Sequence, residues 1–219
     1  MKNPKIRLTI AILTAAVLWF LMFSPWTAGK LNFWLEMSCA AVVLTTLTLA
    51  FTPDRKALFH IEKPLMQVTA GFGIALMLWG VFWVGDRLSS LMFDFARPEV
   101  DAVYAMKTGL PSGVIAMLLL LVIGPAEELF WRGYVQRMLE TITKTKSGGR
   151  NHRRDWAFVL TSLVYASVHI WSFNFMLVMA ALVAGAVWSF LYRLNPKLLP
   201  ALVISHALWD ALVFVIMPI

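Results

Sequence analysis

An all-α polytopic membrane helical bundle of about seven transmembrane helices is the fold that the sequence predicts. Three observations predict it. The chain is 60% hydrophobic and 14% charged, with a mean hydropathy of +0.74, whereas a soluble domain carries about a quarter charged residues. Apolar runs of about 20 residues, the length that spans hydrocarbon, recur along all 219 residues. Basic residues gather in alternate connections, as positive-inside bias requires. No stretch of soluble character is long enough to bury a core of its own, so one membrane domain is expected.

The first apolar run, Leu8 to Phe23, follows Met1-Lys-Asn-Pro-Lys-Ile-Arg7 as in a signal peptide. It is longer than a usual signal core, and Ser24-Pro-Trp26 is not a small-x-small cleavage site, so a retained span is expected near 8–26. Further spans are expected near 33–52, 66–86, 112–134, 156–172, 175–193 and 198–217. The connections then place 14 Lys and Arg on one side and four on the other, with Arg132 inside a span completing the 19. The N-terminus is therefore expected inside and the C-terminus outside. Thr52 to Pro64 reads as an amphipathic connector on the inner surface, with His60 a solvated loop residue. Leu88 to Leu110 reads as an outer loop bearing Asp94, Glu99 and Asp101, and Asp86 as interfacial. Cys39 is the only cysteine, which excludes an internal disulfide and a thiolate metal cluster; it reads as a small core residue. The net charge of +7 follows from the loop bias, so no nucleic-acid partner is expected.

Three motifs put ionisable groups inside spans, where each charged form costs at least about 2 kcal/mol and marks a functional site by default. The first is Glu127-Glu128-x-x-x-Arg132, after a wholly apolar run from Val114 to Ile123. Consecutive helix positions lie about 100° apart, so the two carboxylates cannot point the same way. Glu128 and Arg132 are i,i+4 and are expected to pair. That leaves Glu127 to face the site as a general base. A buried structural ion pair would have the same pattern.

The second motif is Tyr165-x-x-x-His169, with both residues on one helix face. The turn Lys146-Ser-Gly-Gly-Arg150 is free to adopt positive φ. Glu127 and His169 each lie 21 residues from Gly148, so an antiparallel pair folded there brings them level. The third motif is His206-x-x-x-Asp210 in the last span, where the Asp fixes the His tautomer or shares a bound water with it. Folding about Asn195-Pro196 sets Gly185, in the small-residue run Ala180–Ala186, opposite His206 as a close-packing face. Five such groups are most economically explained if they line one water-filled cavity. The chemistry open to them is water activation by a carboxylate, with imidazoles serving an oxyanion or a leaving amine.

In this order and at these spacings the three motifs resemble the CPBP group of intramembrane proteases, also called Abi proteins. The group includes the CAAX prenyl endopeptidases and bacteriocin-immunity relatives. The resemblance covers roughly residues 112–217. It implies a four-helix catalytic core within 111–219, with 1–110 supplying peripheral transmembrane helices, an outer loop and a part in substrate choice. It also implies peptide-bond hydrolysis inside the membrane. Glu127 would activate water with help from His169, His206 and Asp210 would form the oxyanion-stabilising side, and Glu128, Arg132 and Tyr165 would support the site. Tyr165 stands where the family usually has Phe, and Asp210 where many members have Asn. An ionised Asp serves an oxyanion poorly, so orientation of His206, a protonated carboxyl, or a metal are the alternatives for Asp210. Glu127, His169 and His206 would make a passable His₂Glu zinc set; a metal-free glutamate mechanism without cofactor is the expectation. The implied partners are the lipid bilayer and a membrane-associated protein or peptide, in the cell membrane. A proton-coupled transporter and a non-catalytic immunity or binding protein on the same core are the competing readings.

Overall fold

The computed structural model describes residues 3–143 and 150–219; the expected turn at Gly148 lies outside them. The described chain is helical throughout its ordered elements, as a bilayer demands of spanning backbone. In chain order we name α1 (Pro4–Phe23), α2 (Phe33–Phe51), α3 (Pro64–Met92), α4 (Ala96–Tyr104), α5 (Ser112–Ile142), α6 (Arg150–Val168), α7 (Phe175–Leu194) and α8 (Pro196–Ile216).

The boundaries follow from local chemistry. Asparagine side chains accept backbone N–H groups at four starts: Asn3 from Lys5, Asn32 from Trp34 and Leu35, Asn174 from Leu177, and Asn195 from Lys197. Such caps satisfy donors that a helix start leaves orphaned. Proline occupies the first turn of α1, α3 and α8, where its missing N–H is harmless.

The ends of the helices gather on two opposite faces. On one, the Arg7 guanidinium lies over the Phe51 ring, Lys197 meets Glu62, Arg154 meets Glu140 and Arg193 meets Asp155. On the other, Trp26 packs on Phe173, Trp34 Nε1 donates to the Met106 carbonyl, and Arg97 donates to the Ile219 carbonyl. The start of α1 and the end of α8 therefore lie on opposite faces, which requires an odd number of crossings. Among the described residues six helices are long and apolar enough to span a membrane by themselves. α6 runs between the same two faces, its first turns carrying Arg153, Arg154 and Asp155.

Three expectations change. The stretch from Leu88 to Leu110 is not loop throughout: α3 runs on to Met92, and α4 folds beneath it with Arg97 bonded to Asp86 and Asp101. Cys39 is exposed on the outer side of α2 and is not a core residue. Gly185 does not close against His206: a Cβ there would lie 2.5 Å from Tyr165 Cδ1, so the close approach is between α7 and α6. A comparable approach joins α5 to α8, where a Cβ on Gly124 would lie 2.6 Å from Ala207 Cα.

Candidate active site

Glu127 and Glu128 end a short α-helical stretch, Gly124–Glu128, held between π-helical stretches at Leu119–Ile123 and Leu129–Gln136. Pro125 has no N–H to return to the preceding turn, and the wider π register stands directly before that stretch. Such π segments recur at functional sites.

The two carboxylates go separate ways. Glu127 is 5% exposed, and its Oε2 accepts the Tyr165 hydroxyl proton at 3.2 Å. Glu128 is fully buried, and its Oε2 accepts from Arg132 Nη1 at 3.1 Å and from His206 Nδ1 at 2.9 Å. Arg132, also fully buried, donates through Nη2 to the Gly185 carbonyl at 2.9 Å and through Nε to Ser189 Oγ at 3.3 Å. Its guanidinium lies over the Tyr165 ring at 5.0 Å and the Trp188 ring at 5.4 Å. Three helices are thus tied at one charged centre.

A carboxylate beside a guanidinium can only accept, so His206 Nδ1 carries the proton toward Glu128. His206 Nε2 then lies 3.6 Å from Asp210 Oδ2, an approach that is favourable when the two share a proton. The imidazole is clamped by Trp188, stacked at 4.0 Å with 16° between the planes. Trp188 is itself pinned by a bond from Nε1 to Ser205 Oγ.

His169 is held differently. Trp19 Nε1 in α1 donates to its Nε2 at 3.0 Å, and its Nδ1 pairs with the Tyr165 carbonyl at 2.8 Å. An indole N–H only donates, so Nε2 is the bare nitrogen and Nδ1 bears the hydrogen. His169 is therefore a neutral imidazole with both nitrogens engaged.

Glu127, Tyr165, His169, His206 and Asp210 all line one cavity of about 480 Å³. The rest of its wall is largely apolar, with Phe33, Trp34, Phe82 and Met176 among its members. Glu128 and Arg132 stand behind the wall as its support. The structure thus brings every expected site residue to one place, with Glu127 facing the cavity and Glu128 turned away. It adds a link that the motif spacing did not show: Glu128 holds His206 as well as Arg132. It also adds Trp19, Trp188, Ser189 and Gln136, the last donating to the Ser189 carbonyl. The one sequence signal for the two tryptophans was that a buried indole N–H needs an acceptor. That signal does not discriminate, because Trp131 and Trp209 show no such partner among the described residues.

The proposed zinc set does not fit this arrangement. Among the described residues no three His, Cys, Asp or Glu side chains gather at ligand spacing. The His169 lone pair that a metal would need accepts from Trp19, and His206 turns its nitrogens to Glu128 and Asp210.

Fold and site together define a class: a multi-pass membrane protein whose bundle forms an apolar cavity with acid–base groups in its wall. Residues 110–212 match the family model described as "Type II CAAX prenyl endopeptidase Rce1-like", so that part of the chain is similar to this Rce1-like family. The family implies CAAX-type intramembrane protease activity, with a protein substrate in a membrane setting. The matched region holds α5 to α8 as far as Leu212 and includes all seven expected site residues, but not α1. Neither the curated proteins nor the solved structures give a match.

Proposed function

We propose that the chain is an intramembrane endopeptidase of the cell membrane that hydrolyses a peptide bond near the lipid-anchored end of its substrate. One observation carries this reading: the Glu127 carboxylate, oriented by the Tyr165 hydroxyl, faces an apolar cavity that also receives His206 and Asp210. The apolar wall suits a hydrophobic tail, such as the prenyl group that the family description names. A water between Glu127 and the scissile carbonyl loses its proton to the carboxylate and attacks the carbonyl carbon. The proton shared by His206 and Asp210 hydrogen-bonds the developing oxyanion, and when the C–N bond breaks the amine leaves with the proton that Glu127 took from water. Glu128 and Arg132 fix the height of His206 against Glu127. No step is routed through a metal, since the residues present do not form its ligand set.

The test is cleavage of peptides by the purified full chain in nanodiscs, read by mass spectrometry. A farnesylated peptide with a C-terminal CAAX sequence should be shortened, the same peptide without the prenyl group should be cut far more slowly, and a chelator should leave the rate unchanged. Equal rates for the two peptides would remove the apolar-tail reading, and loss of activity with chelator would restore the metal.

A further inference from the structure

We propose that Trp19, in the first helix and outside the Rce1-like region, is a positioning residue of the active site. It would set the tautomer and orientation of His169, and through His169 the place of Tyr165 beside Glu127. The proposal rests on the hydrolytic reading above. It extends that reading to a helix that the motifs do not reach.

The geometry forms a chain of four groups. Trp19 is 1% exposed, and its Nε1 donates to His169 Nε2 at 3.0 Å. The indole is fixed from behind by Trp131, edge-on at 6.4 Å, and lies edge-on to the His169 ring at 5.8 Å. His169 Nδ1–H is directed to the Tyr165 carbonyl at 2.8 Å. His169 stands where α6 ends at Val168 and the chain tightens into a 3₁₀ turn over His169–Ser172. The imidazole edge then meets the Tyr165 ring at 5.1 Å, and the Tyr165 hydroxyl reaches Glu127 Oε2 at 3.2 Å.

The consequence concerns what His169 can do. A bare Nε2 facing the cavity would be a competing base beside Glu127 and a site for stray metal or protons. With Nε2 accepting from Trp19, that nitrogen is closed, and the ring can only orient. The indole N–H needs an acceptor once it is buried, and the imidazole lone pair needs a donor. Each satisfies the other. This is why α1 is required for a site whose reacting groups all lie after residue 110.

The experiment uses the full chain in nanodiscs with ¹⁵N-labelled histidine rings, the His169 signals being assigned with His169→Gln. Wild-type protein should show His169 as a neutral imidazole protonated on Nδ1, with the Nε2 signal of a hydrogen-bond acceptor. Trp19→Phe keeps a ring against Trp131 but has no N–H. It should abolish the Nε2 acceptor signature and lower kcat on the farnesylated peptide about tenfold, the scale of one lost positioning hydrogen bond, with KM within about twofold. Phe23→Leu removes another ring near His169, at 5.9 Å, without touching the hydrogen bond. It should leave the signature in place. A wild-type His169 protonated on Nε2 overturns the proposal, whether or not Trp19→Phe folds. So does a Trp19→Phe protein with an unchanged signature, or one with unchanged kcat. If wild-type protein cleaves no peptide, the hydrolytic reading fails, while the ring signals still decide whether Trp19 holds His169.

Discussion

Replacing Arg132 by Met tests how far the charged centre behind the cavity holds the bundle together. Methionine keeps a long unbranched stem but removes the guanidinium, leaving the Glu128 carboxylate fully buried with His206 as its one remaining hydrogen-bond partner. The change also strips the Gly185 carbonyl and Ser189 Oγ of their donor. Hydrogen bonds to charged groups contribute about 1.5–3 kcal/mol each, and removing one partner of a buried pair destabilises by about 3–5 kcal/mol. The retained His206 bond points to the lower half of that range, about 3–4 kcal/mol. For a chain of this size each kcal/mol moves Tm by about 2–4 °C, so a fall of about 10 °C is expected. Thermal unfolding followed by tryptophan fluorescence in one detergent would measure it. Adding Glu128→Gln to Arg132→Met should recover about 1–2 kcal/mol, because a neutral amide leaves no uncompensated charge. An Arg132→Met protein within 1 kcal/mol of wild type, or a double variant no better than the single one, would refute the reasoning.

Three further outcomes follow from the same geometry. Gly185→Ala places a Cβ 2.5 Å from Tyr165 Cδ1 and should displace the tyrosine from Glu127, lowering stability by about 1–3 kcal/mol and kcat by more than tenfold; Gly73→Ala, with nothing within 4 Å of the new Cβ, should be neutral or stabilising by up to about 1 kcal/mol in the same thermal assay. Tyr165→Phe keeps the ring beneath Arg132 but loses the hydroxyl on Glu127, and should lower kcat about tenfold in the peptide assay with little change in Tm. In the loop before α3, the hydrogen bond from Lys197 holds the Glu62 carboxyl below its ordinary value. The small stabilisation it gives is present above the ordinary Glu pKa and lost as pH falls through the lowered value. Lys197→Met should therefore raise the Glu62 titration midpoint seen by NMR, and salt should weaken the difference.

The parts of this molecule that were legible in its sequence are those set by one-dimensional spacing. Span lengths and the alternation of basic residues reveal a bundle whose two ends lie on opposite faces, because hydrocarbon thickness and charge cost act on contiguous segments. The i,i+4 relation of Glu128 to Arg132 likewise survives into three dimensions. What spacing could not reveal are contacts between distant helices. Trp19 and His169 lie 150 residues apart, and nothing in an apolar run distinguishes the tryptophan that finds an imidazole from one that finds none. The bond from His206 to Glu128 spans 78 residues and depends on the closeness of Gly124 to Ala207. Helical i,i+4 spacings and hairpin registers do not carry that information. Cys39 shows the same limit from the other side: in a span that is apolar all round, composition does not tell the lipid face from the core.

The central claim is that Glu127 activates the water that cuts the peptide. Glu127→Gln keeps the size of the side chain and an acceptor for the Tyr165 hydroxyl, so the protein should fold, insert and retain its Tm within a few degrees. Incubated in nanodiscs with the farnesylated CAAX peptide, it should yield no shortened product, while wild-type protein in parallel yields product at a measurable rate. Cleavage by Glu127→Gln at the wild-type rate would contradict the account.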